Sequence, residues 1–209
     1  MPDKQIVLYL SRHGVTNLNK NHHFRGTQNP PLAPEGFKDA NQLAHYLSGI
    51  DLGDIYSSPR LRATQTATTV VNKRNESFTE IPDLAAMDIG YFSGKPKSSD
   101  NVDKLEVYLQ NPHTKIPGGE SLSDFRDRIR PLFMEAMEAY NKSGLPCLFV
   151  VHSSVIHEAG QLFNNDHHSA RVEPGGVAAV YYTDGELHAE PIFKPSKQKQ
   201  GQRRADTVS

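Results

Sequence analysis

The sequence predicts an α/β fold: a three-layer α/β/α sandwich on a mainly parallel central sheet with an antiparallel edge strand. Three observations predict it. Two apolar runs, IVLYL at 6–10 and CLFVV at 147–151, are continuous rather than alternating, as strands buried on both faces are. Between them, strand-like stretches alternate with stretches of helical periodicity. Near the end, VAAVYYT and LHAEPIF flank Asp184-Gly185, a tight-turn signal between two strands.

Taken in order, residues 6–10 are the first strand. NPPLAPEG at 29–36 reads as a turn into a helix, with Pro34 at the first helical position. Phe37, Ala40, Ala44 and Leu47 then recur at helical spacing up to Gly49, a stop signal. DIYSS at 54–58 is a short strand, and Ser58-Pro59 is expected to cap a helix running to about Lys73. A strand is expected near Phe78 to Ile81. The stretch 84–119 is rich in Gly, Pro, Ser and Asp and reads as a flap rather than core, with one short helix around Val102 to Leu109. Ser121 with Asp124 marks the start of the longest helix, whose apolar face includes Phe125, Ile129, Phe133 and Ala136 and which Pro131 should kink. The strand 147–151 runs into His152 and a helix through Leu162.

At 209 residues this is one domain, read as residues 1–193 with a flap around 86–119 and a disordered basic tail over 194–209. Lys and Arg number 23 against 24 Asp and Glu, a net of −1, which excludes a general binder of nucleic acid or membrane surfaces. The single cysteine, Cys147, rules out a disulfide framework and suits a reducing compartment. The N-terminal MPDKQ is polar and no apolar run nears the length of a span, so a cytoplasmic protein without signal peptide is expected. The oligomeric state stays open, a homodimer included.

The chemistry concentrates at strand ends. His13 follows the first strand closely and His152 follows Val151 directly. In open α/β sheets ligands sit beyond the carboxyl ends of the strands, so both imidazoles are candidates for one crevice. Arg12 adjoins the first histidine. Arg62 falls in the first turn of a helix, where free N–H groups favour an anion. Two histidines, two arginines and a helix N-terminus describe a pocket for a tetrahedral dianion. Neighbouring Arg12 and Arg62 should lower the pKa of His13 and keep it neutral. Gly14 is expected to let backbone approach the ring closely.

The blocks RHGVTNLN at 12–19, SSPRLRATQTA at 57–67, GGES at 118–121 and VVHSSVI at 150–156 resemble the histidine phosphatase superfamily, the phosphoglycerate-mutase-like clan, in the family's order. The resemblance implies that His13 takes up the phosphoryl group, with a backbone carbonyl holding its other ring nitrogen. It implies that Arg12, Arg62 and His152 clamp the phosphate oxygens, with Asn19 and Thr16 beside them and Glu120 and Ser121 at the pocket wall. Arg25 and Gly26 from the following loop and Ser153 after His152 complete the expected phosphate-binding set. Neither cofactor nor metal is expected, and the partner is a small phosphorylated substrate.

One departure stands out. The family's general acid, a glutamate, falls here on Ala86 in LAAMDIGYFSG, and a proton donor to the leaving group contributes ~10²–10⁴-fold. Asp88 is the substitute expected. Three readings follow: a phosphohydrolase, favoured because the stretch that would shield a phosphoenzyme is short; a phosphoglycerate-mutase-type isomerase; and a catalytically weak phospho-ligand binder, motivated by Ala86. Smaller departures are Ala33 at a helix cap and Ser153-Ser154 where relatives have glycine. Of the 10 histidines, the adjacent pairs His22-His23 and His167-His168 read as diverging solvated loop residues rather than metal ligands, His157 as packed, and His45 as surface.

Overall fold

The computed structural model describes residues 4–196. Of the tail expected over 194–209, residues 197–209 lie outside the described residues. The fold is α/β with six strands: β1 (Gln5–Arg12), β2 (Ile55–Ser57), β3 (Thr79–Glu80), β4 (Cys147–Val151), β5 (Val177–Thr183) and β6 (Glu186–Phe193). The helices are α1 (Asn17–Lys20), α2 (Pro34–Leu47), α3 (Leu61–Arg74), α4 (Ser99–Gln110), α5 (Leu122–Ser143) and α6 (Ser153–Asn164). The strand order is β3-β2-β4-β1-β5-β6. Pairings are parallel from β3 across to β1 and antiparallel for β1–β5 and β5–β6, so the edge is a hairpin of two strands.

Continuous apolar runs form the central strands because both faces are covered. In β1, Leu8 and Leu10 join the core under α5 and α6, while Tyr9 between them joins the core under α2 and α3. In β4 the faces alternate likewise, with Phe149 and Val151 on one side and Leu148 and Val150 on the other. Fully burying each such side chain contributes about 1.5–3 kcal/mol before entropy is counted. Helices thus cover both faces of the sheet, giving three layers.

Several local expectations need correction. Ser58 does not cap α3: the cap position is Arg60, with no side-chain cap, and Ser58 is occupied elsewhere. The stretch 84–119 is not excluded from the core, because Leu84, Met87, Phe92, Leu105 and Ile116 are all buried in the larger cluster. Its polar composition hides five anchors spaced too irregularly for any period to reveal. The short helix there starts earlier, at Ser99, because the Ser98 hydroxyl accepts from Asn101 N at 3.3 Å. The His167 and His168 rings do not diverge: they lie 3.9 Å apart because their backbone turns. The longest helix does start on a reciprocal Ser121–Asp124 box and runs unbroken through Pro131.

Gly14 serves a different neighbour than its ring. A Cβ there would lie 2.3 Å from Gly36 O, and one on Gly36 would lie 2.2 Å from Val15 O. The two glycines let the chain after β1 press backbone to backbone against the first turn of α2.

Candidate active site

The sheet register builds the site. Arg12 stands opposite Val151, and Ser57 opposite Val150, in the parallel ladders. Beyond them the pairing continues: His13 N donates to Val151 O at 3.0 Å and Ser58 N to Val150 O at 3.1 Å. His13, His152 and Ser58 therefore leave three neighbouring strands at one edge. The two imidazoles have ring centroids 5.2 Å apart, tilted by 58°. Arg62, the second residue of α3, is fully buried beside them. Its Nε donates to His13 Nε2 at 3.2 Å and its Nη1 to Gln28 O at 2.9 Å. Arg12 Nη1 donates to Val172 O at 2.9 Å.

These bonds assign the tautomers. His13 Nδ1 lies 2.7 Å from Gly14 O, and a carbonyl only accepts, so Nδ1 carries the proton. That leaves a lone pair on Nε2, which Arg62 Nε–H meets. His152 runs the other way round. Its Nε2 lies 2.8 Å from Ser58 Oγ, and among the described residues that O–H has no other acceptor, while the oxygen accepts from Arg60 N at 3.3 Å. Ser58 is then the donor, His152 Nε2 the acceptor, and His152 Nδ1–H the free donor.

Electrostatics hold both rings neutral. Burial lowers the pKa of His13 well below 6.5, followed by the charge of Arg62, then His152, Arg25 and Arg12. Burial likewise lowers His152, with Arg62 and Arg25 next. Even the guanidinia feel the crowding: Arg62 is pushed down to about 9 and Arg12 to about 10, chiefly by burial and then by Arg25. Among the described residues, Arg12 Nε, Arg62 Nη2 and His152 Nδ1 are buried without a hydrogen-bond partner. An unsatisfied buried donor costs about 1–3 kcal/mol. An oxyanion would supply acceptors in place of that cost, and the arginine fork matches phosphate geometry.

The remaining sequence-predicted residues divide. Thr16 and Asn19 cap each other around α1, a four-residue helix that periodicity could not show: Asn19 N donates to Thr16 Oγ1 at 3.3 Å and Thr16 N to Asn19 Oδ1 at 3.1 Å. Asn19 and Arg25 line a cleft of about 940 Å³ together with Arg12. Gly26 has φ +47°, and a Cβ there would meet Ser93 Oγ at 2.0 Å, so it binds loop to loop. Ser153 opens α6. Glu120 is held away from solvent in a fork with Arg128, at 2.6 and 3.0 Å, and also accepts from Asp88 N at 2.7 Å. Asp88 Oδ1 accepts from Gly90 N at 2.9 Å.

Sequence reasoning missed the residues that hold this loop. Arg128 donates to the Ala85 and Ala86 carbonyls at 3.0 and 3.2 Å, and Ser154 Oγ accepts from Met87 N at 3.2 Å. The segment bearing Ala86 and Asp88 is thereby fastened to α5 and to the first turn of α6, next to His152. Ser58, which reads from sequence as a helix cap, is likewise missed as the partner of His152. Among the described residues, no group of three or more His, Cys, Asp or Glu is arranged to hold a metal ion, and no helix is long and apolar enough to cross a membrane.

The model of the histidine phosphatase superfamily (branch 1) matches residues 8–190, and the chain belongs to that superfamily. Fructose-2,6-bisphosphatase TIGAR of Xenopus tropicalis is 33% identical over 134 residues, covering 62% of this chain and 49% of that protein. The match thus spans about half the length of that relative. A putative phosphoserine phosphatase 2 of Hydrogenobacter thermophilus is 30% identical, covering 72% of this chain and 74% of its own. Among solved structures, a phosphoglycerate mutase from Bacillus anthracis superposes with a TM-score of 0.76 at 25% identity, covering 92% and 95% of the two chains. Phosphatases and a mutase therefore stand among the relatives.

Proposed function

We propose that the protein is a phosphomonoesterase that works through a phosphohistidine on a small phosphorylated substrate. The observation that carries this reading is the bonding of His13: Gly14 O holds the Nδ1 proton, and the Nε2 lone pair faces Arg62. In the first step Nε2 attacks phosphorus and the bond from phosphorus to the substrate oxygen breaks. The leaving oxygen takes a proton from Asp88. In the second step a water oxygen attacks phosphorus, its proton passes to Asp88, and the N–P bond breaks to release phosphate and neutral His13. Arg12, Arg62 and His152 Nδ1–H stabilise charge on the phosphoryl oxygens, with Arg25 and Asn19 lining the cleft beside them and buried Thr16 holding Asn19 in place. The stretch 86–119 serves as the wall on the leaving-group side, a fixed one given its buried anchors.

The test is incubation with 4-nitrophenyl phosphate. Release of nitrophenol and phosphate, with an acid-labile and alkali-stable phosphoryl label on His13, supports the proposal. A second reading, a phospho-ligand binder of weak turnover, is favoured by Ala86, which offers no proton. It predicts phosphate binding without label or nitrophenol.

A further inference from the structure

From the hydrogen bonds that surround His13, we propose that Thr66 is a positioning residue for the nucleophile: its hydroxyl closes a cycle of hydrogen bonds that locks His13, Gly14 and Arg62 into one unit. The inference rests on the phosphohistidine reading above and names the residue that aims the attacking nitrogen.

The buried face of α3 leads to it. That face consists of Arg62, Ala63, Thr66, Ala67, Val70 and Val71, so its polar members are Arg62 and Thr66, one turn apart on one side of the helix. Both are fully buried, and both are directed to the segment that follows β1. Arg62 Nε donates to His13 Nε2 at 3.2 Å, and His13 Nδ1 donates to Gly14 O at 2.7 Å. Gly14 N donates to Thr66 Oγ1 at 3.1 Å, and Thr66 Oγ1 donates to Arg62 O at 2.8 Å. The bonds therefore run head to tail and return to the residue they started from. Each member donates onward while it accepts, an order in which hydrogen bonds polarise one another.

A threonine hydroxyl on the carbonyl one turn back is ordinary helix behaviour and by itself implies nothing. The second bond is what gives Thr66 a role. Gly14 is a glycine because α2 presses against it, and the same missing Cβ leaves the Gly14 carbonyl free to swing. That carbonyl must face His13 Nδ1 for Nε2 to keep its lone pair. Two bonds fix it, one in each peptide group flanking Gly14: Gly14 N to Thr66 Oγ1, and Val15 N to Asp39 Oδ2 at 3.0 Å. Asp39 holds the segment to α2, and Thr66 holds it to α3, the helix that carries Arg62. Valine would fill nearly the same volume as Thr66, so the hydroxyl answers to hydrogen bonding rather than to packing.

The experiment measures 4-nitrophenyl phosphate turnover, Tm and the imidazole nitrogen-15 spectrum in Thr66→Val and Thr66→Ser. Valine keeps the buried methyl and loses both bonds, whereas serine keeps both bonds and loses the methyl. In Thr66→Val, kcat should fall at least tenfold with KM within threefold of native, since Arg12 and His152 still hold phosphate. His13 should change there from Nδ1-protonated to a mixture of tautomers. In Thr66→Ser, kcat should return to within threefold of native and His13 stay Nδ1-protonated, although the lost methyl lowers Tm. A residue that only fills space would instead rank activity with Tm. A kcat within threefold of native in Thr66→Val, a serine variant no better than valine, or an unchanged His13 spectrum in Thr66→Val overturns the assignment. Should Thr66→Val not fold, Thr66→Cys, with its weak S–H donor and weak sulfur acceptor, takes its place. A kcat at least fivefold below that of Thr66→Ser then supports the assignment, and equality with it overturns it. If the native protein releases no nitrophenol, the phosphatase reading falls, and the nitrogen-15 spectra of the same variants still decide whether Thr66 holds His13.

Discussion

Ser58 Oγ lies 2.8 Å from His152 Nε2, joining the end of β2 to the end of β4 across buried ground. The hydroxyl fixes which ring nitrogen of His152 carries hydrogen, and so gives the pocket a donor rather than a lone pair. Ser58→Ala leaves Nε2 unsatisfied and the ring free to take the other tautomer. A buried polar atom left alone costs about 1–3 kcal/mol, so kcat/KM for an aryl phosphate should fall roughly tenfold, with Ser58→Thr restoring most of it. Nitrogen-15 spectra of the imidazoles should show His152 protonated at Nδ1 in the native protein and a mixture in the alanine variant. Unchanged spectra would remove Ser58 from this role.

His13→Ala should abolish turnover and phosphoryl labelling while leaving the fold intact, checked by circular dichroism. Arg62→Lys keeps the charge but loses the Nε–H to His13 and the fork to phosphate. It should cost at least a hundredfold in kcat/KM, since two charge-assisted bonds of about 1.5–3 kcal/mol each are lost.

Asp88→Asn should slow an alkyl phosphate far more than an aryl one, because an aryl leaving group needs little protonation. Equal losses on both would mean that Asp88 donates no proton. Glu120→Gln should reproduce part of the same selectivity, since Glu120 holds Asp88 N and the Arg128 that pins the Ala85 and Ala86 carbonyls.

His157, half-buried on α6, is lowered to about 4 by burial first and then by Arg12 and Arg171. Its folded value lies below the unfolded value of 6.5, so on acidification the unfolded chain binds the proton first. Its contribution is complete above about pH 6.5 and drains away as pH falls towards 4. Urea unfolding at pH 7 and pH 5 should differ by roughly 2 kcal/mol more in the native protein than in His157→Gln. His13 and His152, shifted the same way, add to the acid loss in both.

Gly14→Ala should be among the most damaging small substitutions, because the new Cβ would meet Gly36 O at 2.3 Å. Overpacking of this kind costs roughly 1–3 kcal/mol or more, and a fall in Tm of several degrees should accompany it. An undisturbed Tm would mean α2 can shift away.

The sheet and the four central residues were legible because long-range information was compressed into local signals: an apolar run, then a histidine, twice. The Arg12-His13-Gly14 segment and the Ser58-to-Arg62 segment each carry enough short-range pattern to be placed. Ser58 itself was misread, since a serine before Pro59 looks like a helix cap and nothing nearby announces a partner 94 residues on. Glu120 was seen as a wall of the pocket, yet its role in the loop depends on Arg128, two turns into another element. Arg25 is legible as a candidate, but its sharing of one cleft with Arg12 and Asn19 is not, because only folding brings those segments around one opening.

The ladder that seats Leu8 beside Cys147 and Arg12 beside Val151 also sets when this protein can first acquire its chemistry during synthesis. A nascent chain lacks the second half of the oxyanion cradle until β4 has been made and threaded between β1 and β2. Until then Arg62 and His13 have no His152 to close around, and every truncated product ending before that strand leaves the ribosome without the cluster proposed to hold the phosphoryl group.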